Sequence, residues 1–103
     1  MFAKPVRQVD EDFKAFVRSK SCVICSSDAP DPHHLRTRGA GGSDLTCVPL
    51  CREHHEAWHQ LGPSMFLASY GVDLWRVNSG LLIEYFSDPA VILKKAAQIT
   101  AAA

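Results

Sequence analysis

The 103-residue chain has no surplus of charge of either sign, because 11 Lys and Arg balance 11 Asp and Glu. That balance argues against holding nucleic acid by bulk basicity, which needs a positive excess. No apolar run approaches the ~20 residues that a membrane helix requires, so no membrane association is expected. Met1 to Asp12 has no apolar stretch of the kind that marks a secretory signal, and the expected location is cytoplasmic. With 47% hydrophobic and 21% charged residues the composition is globular rather than disordered. One domain, residues 1–103, fits this length, and its core should be thin, since a chain of this size buries roughly 65% of its unfolded surface. Cys and His are absent from both ends of the chain. All four Cys and all five His fall between Cys22 and His59.

Three regions separate. Val9, Phe13, Phe16 and Val17 recur at helical spacing behind Asp10, a suitable N-cap, and predict a helix over about 10–18. Residues 20–62 carry the Cys/His cluster among Gly, Pro, Ser and Asp, too polar to build a core unaided. Residues 63–103 are apolar and helical in character, with starts at Asp73 and at Asp88-Pro89, and Asn78-Ser79-Gly80 weakens the middle helix to the point where it could break. Phe13, Phe16, Trp58, Phe66, Leu67, Trp75 and Leu82 are the expected core.

Four cysteines could form two disulfides, but that needs an oxidising compartment. Their spacing favours a metal. Cys22-x2-Cys25 and Cys51-x2-His54 are two ligand pairs that can surround one tetrahedral structural zinc. A competing set uses Cys47 in place of His54; otherwise Cys47 is a small buried residue. A redox role for Cys22 and Cys25 lacks the βαβ surroundings it would need.

Four histidines remain. Arg52 to Leu61 reads as a helix stopped by Gly62-Pro63, and on it His55 and His59 share a face. His54 lies about 100° round the axis from His55, so one helix start can address two metal sites. His33 and His34 follow Pro32, and Arg36 and Arg38 follow them. On a regular strand His33 and His34 would face opposite sides, so both can serve one site only at a strand end or irregularity.

Taken together, Cys22-x2-Cys25, His33-His34, the Gly39, Gly41, Gly42 segment, Asp44-Leu45, Val48-Pro49-Leu50-Cys51 and His54-His55-x3-His59 resemble the HNH endonucleases. These are ββα-metal, or His-Me finger, nucleases on a treble-clef zinc scaffold. VPLCREHHEAWHQLG is especially similar to small phage- and prophage-associated HNH proteins, some linked to recombination. The resemblance implies an α+β fold: a treble-clef ββα-metal core with flanking N- and C-terminal helices. It implies DNA as substrate, a protein partner in recombination or phage DNA metabolism, and one-metal cleavage leaving 5′-phosphate and 3′-hydroxyl ends. By the same resemblance His34 would be the general base, and His33, His55 and His59 would hold the catalytic ion. Asp44 falls near the family's middle Asn, which orients the base, and is a departure from that pattern.

The residue types suit the chemistry. An imidazole, with an ordinary pKa near ~6.5, can deprotonate water near neutral pH. Three imidazoles favour Zn, Ni, Co or Mn over Mg, which prefers oxygen. Arg36 and Arg38 could clamp a phosphate. A catalytically silent treble clef that binds nucleic acid or protein is the first alternative. A zinc metallopeptidase is another: His55-Glu56-x2-His59 is an HExxH sequence in which Glu56 would be the base, with Glu84 as a third ligand where Met65 replaces a metzincin-type histidine. That reading leaves the cysteines, His33 and His34 without a role. A nucleobase deaminase lacks its downstream Pro-Cys-x2-Cys.

Overall fold

In the computed structural model of the chain, residues 8–37 and 41–102 are described. The first helix, α1, spans Glu11–Arg18. Asp10 caps it, its carboxylate accepting the Phe13 N–H at 2.9 Å. Glu11 and Asp12 in the first turn and Arg18 in the last match the helix dipole. Phe13 and Val17 are buried and Phe16 half-buried, whereas Val9, ahead of the cap, is exposed.

A tight turn follows at Cys22–Cys25, closed by Ser26 N–H to Cys22 O at 2.8 Å and tied to the sheet by Val23 N–H to Pro49 O at 3.2 Å. Strand β1, Asp31–His34, pairs antiparallel with β2, Cys47–Leu50, with His33 opposite Val48 and His34 opposite Cys47. Pro32 faces Pro49. The next backbone bond, Leu35 N–H to Thr46 O at 3.0 Å, puts the opposed prolines at a pair where the alternating ladder asks for no N–H. A short 3-10 helix, Asp44–Thr46, leads into β2, whose four residues are all buried.

Helix α2, Arg52–Tyr70, is two helical segments joined at Gly62, whose φ of 78° departs from helical geometry. The stop expected at Gly62-Pro63 is therefore present, and Pro63 starts the second segment. Helix α3, Leu74–Phe86, is capped by Asp73, which accepts from Trp75 and Arg76 N–H. The weak triplet Asn78-Ser79-Gly80 does not break the helix; α3 runs through it. Asn78 is buried, and its side-chain amide donates to Leu45 O at 2.7 Å and Cys47 O at 3.1 Å. Those tertiary bonds outweigh the weak local propensity of the triplet. Helix α4, Pro89–Ala102, begins on the expected proline and is tied to the start of α1 by Lys94–Asp12 at 2.8 Å and Lys95–Asp10 at 2.6 Å.

The fold is thus α+β: a cysteine turn, a β-hairpin and a helix in the order of a treble clef, with α1 packed on both strands and α3 behind β2. Phe13, Val17, Cys47, Val48, Leu50 and Phe66 form the centre of the core. Trp58 and Leu82 pack partly buried against it. Leu67 and Trp75, expected inside, are 46% and 52% exposed. The second segment of α2 buries only Phe66, and Leu67 and Trp75 instead line a small apolar groove with Leu35 and Trp58.

Candidate metal centres and the cleft beside them

The cysteine turn and the start of α2 bring Cys22, Cys25, Cys51 and His54 together, with their donor atoms within 4.8 Å of one another. Cys25 Sγ to Cys51 Sγ is 3.8 Å, Cys22 Sγ to His54 Nδ1 3.7 Å and Cys51 Sγ to His54 Nδ1 3.1 Å. Zn–S bonds of about 2.3 Å on a tetrahedron put sulfurs about 3.8 Å apart, so this Cys3His set can hold a structural metal such as zinc. The Ser27 hydroxyl, 2.8 Å from Cys25 Sγ, pulls that thiol down to about 6, towards the thiolate a metal takes, while burial pushes Cys51 up. Cys47, the competing ligand, is buried in β2 and outside the cluster.

On the neighbouring face of α2, His55 and His59 meet His33 of β1, their donor atoms again within 4.8 Å. His55 Nε2 and His59 Nε2 are 3.1 Å apart. Asp31 Oδ2 lies 3.2 Å from His55 Nδ1 and 3.4 Å from the Arg52 guanidinium. A carboxylate there fixes the Nδ1–H tautomer and turns Nε2 towards a metal. His33 is 1% exposed, and neither of its ring nitrogens has a hydrogen-bond partner. Buried polar groups are nearly always satisfied, so a buried imidazole without a hydrogen-bond partner, set among two others, fits a ligand of a shared cation. Trp58 packs edge-on to His33 with ring centroids 4.5 Å apart. Glu84, the peptidase reading's ligand, is instead 2.6 Å from Lys20, and Met65 is exposed.

Burial, reinforced by His55, His59 and His34, draws His33 down to about 3, and burial with His59 also lowers His55. His33 in the folded chain therefore stays neutral, the form that binds metal, while an unfolded imidazole protonates near ~6.5. The unfolded state then binds more protons, so this contribution to stability is whole above about pH 6.5 and lost as pH falls towards 3. In protein that keeps zinc in its Cys3His cluster but has no ion at the three histidines, acidification from about pH 7 to about pH 5 should lower the melting temperature more steeply than in His33→Leu, as read by circular dichroism. Equal slopes would count against this account of His33.

His34 ends β1 and lines the same cleft as His33, which resolves the difficulty of adjacent strand residues serving one site. Its Nε2 is 2.8 Å from Asp44 Oδ1. Asp44 is fully buried, and its other oxygen accepts the Asp10 N–H at 2.8 Å and lies 3.7 Å from the Lys14 ammonium. The cleft, of about 410 Å³, is lined by Lys14, Arg18, His33, His34, His55 and His59 together with Pro32 and Thr37. Arg36 is exposed and is not among the lining residues; Arg38 and Gly39 lie outside the described residues. Lys14, Arg18 and Asp31 were not singled out from sequence. Asp31, directly before the Pro32-His33-His34 run, was the one with a local signal.

Fold and donor sets together define a small α+β protein with two candidate metal centres flanking one helix start. The chain belongs to the family described as a protein of unknown function (DUF968), whose match covers residues 1–82. Over 58 residues it is 41% identical to the uncharacterized protein YdfU of Escherichia coli (strain K12). That stretch is 52% of this chain but only 17% of YdfU, so the chain spans a small part of that relative's length. No solved structure matches it.

Proposed function

We propose that the cleft is the active centre of a metal-dependent HNH-type endonuclease or nickase that hydrolyses phosphodiester bonds in DNA. The observation that carries this reading is the orphaned, buried His33 converging with His55 and His59 beside a His34–Asp44 pair. A divalent ion held by the three histidines would offset the charge that builds on the phosphate and the departing oxygen. His34 supplies the base. With Nε2–H donated to Asp44, Nδ1 is the basic nitrogen of the ring, and it accepts the proton of the attacking water. Asp44 holds the imidazole in that tautomer and stabilises the imidazolium that results, a role a carboxylate can fill where the HNH endonucleases that the chain resembles use an amide. Asp31 orients His55 in the same manner.

The preference for imidazole ligands makes Mn, Co, Ni or Zn the expected activators over Mg. Supercoiled plasmid incubated with the purified protein and each of these ions should be converted to open circles. Glu56→Gln should nick like the wild type, because Glu56 is exposed on α2 and the nuclease reading gives it no role. Nicking with none of the ions, alongside retained DNA binding, would favour the silent binding module. A peptidase activity abolished by Glu56→Gln would revive the metallopeptidase.

A further inference from the structure

The cleft contains two cations whose surroundings differ. Lys14 and Arg18 are four residues apart on α1, so both project from one face of that helix, and both line the wall facing the histidines. Lys14 is already engaged. Its ammonium is 2.8 Å from Glu11 and 3.7 Å from Asp44, and its side chain is 15% exposed. Arg18 is exposed, and among the described residues its side chain enters no ion pair or hydrogen bond. With Lys14 engaged, the Arg18 guanidinium is the group in this cleft with donors to spare for an anion. Its planar fork matches two oxygens of one phosphate, which a lysine ammonium does only as a point charge.

We propose that Arg18 is a positioning residue that grips a DNA phosphate flanking the scissile one, while Lys14 stays with Asp44 as part of the support for His34. The inference rests on the DNA-cleaving reading of the cleft. The scissile phosphate belongs against His33, His55 and His59, which come from β1 and α2; Arg18 comes from α1, a separate wall, and so meets the backbone at a neighbouring phosphate. This division assigns to α1 the task that sequence adjacency gave to Arg36 and Arg38. It also fits a chain with no net charge, in which few phosphate contacts are available and each carries a visible share of the binding.

Two measurements test it. Nicking kinetics on plasmid should show Arg18→Ala raising KM about tenfold with kcat within about twofold, and Arg18→Lys recovering part of that loss. Anisotropy of a fluorescein-labelled duplex, titrated between about 50 and 200 mM salt, should show the log–log slope reduced by about one in Arg18→Ala and restored in Arg18→Lys. Because Arg18 is exposed at the end of α1, Arg18→Ala should lower the melting temperature by no more than the few degrees its dipole contact supplies and Arg18→Lys should leave it in place, which separates a lost contact from a lost fold. Wild-type KM and slope in Arg18→Ala would overturn the assignment and leave the nuclease reading standing. Wild-type binding without nicking by any ion would overturn the nuclease reading, and the slope comparison would still decide Arg18. No DNA binding by the wild type would overturn both.

Discussion

His34→Ala is expected to reduce plasmid nicking by about 10²- to 10⁴-fold, the range lost when a positioned general base is removed. Zinc in the Cys3His cluster should be retained, because His34 is not part of the Cys22, Cys25, Cys51 and His54 donor set. The loss should be chemical rather than structural. Truncating His34 takes one partner from Asp44, but the buried carboxylate keeps the Asp10 N–H and the nearby Lys14 ammonium, so it is not left as an uncompensated charge. His34 itself ends a strand whose register is fixed by Asp31, Pro32 and His33. The three-histidine set is also left intact, so added imidazole should restore part of the activity by entering the vacated volume as a free base. The readouts are the initial rate of open-circle formation, zinc content by elemental analysis and the melting temperature. Cleavage at the wild-type rate in His34→Ala would remove His34 from the role of base, and a collapse of zinc content would make it a structural residue instead.

The parts of this site that could be read from the chain were those whose geometry is local. A two-residue spacing puts Cys22 and Cys25 on one turn, and a four-residue spacing puts His55 and His59 on one helical face, whatever the rest of the molecule does. Capping is equally local, and Asp10, Asp73 and Pro89 stand where their side chains required. What was not legible depended on contacts between distant segments. Nothing near Lys14 or Arg18 indicates that α1 will lie along the cleft formed by β1 and α2; that follows from Phe13 and Val17 being buried under the hairpin. Arg36 follows His34 closely in sequence, but beyond the end of β1 adjacency does not set direction, and Arg36 is not in the cleft's lining. Asn78 shows the reverse. Its low helix propensity was visible, but its two bonds to backbone carbonyls, across 33 and 31 residues, were not. Trp75 and Leu67 follow the same logic: helical spacing marks an apolar face, but whether another element covers it is a tertiary outcome.

Removing the metal from the Cys3His cluster should unfold the site as a whole, not merely loosen the cysteine turn. Residues 21–30 contain no regular element; Cys22 and Cys25 hold that segment against the start of α2 through Cys51 and His54. The remaining ties are few backbone bonds, chiefly Val23 N–H to Pro49 O. Structural zinc contributes on the order of 10–16 kcal/mol in small zinc domains, which equals or exceeds the ~5–15 kcal/mol by which a domain is stable in total. The start of α2 also depends on this cluster, since Cys51 is its N-cap residue and makes no side-chain cap hydrogen bond of its own. His55, one residue after His54, cannot keep its place opposite His33 once that helix start is released. Chelation, or Cys51→Ala, should therefore abolish cooperative thermal unfolding and nicking together. Restoring Mn alone should recover neither, because thiolates favour zinc over a harder ion, whereas zinc followed by Mn should recover both. His59→Ala offers the contrast: it removes one ligand of the three-histidine set, and should stop nicking while leaving the melting transition in place. A chelated protein that still melts cooperatively at the wild-type temperature would show that the core of Phe13, Val48, Leu50 and Phe66 carries the fold unaided, and the cluster would then have to be explained by something other than stability.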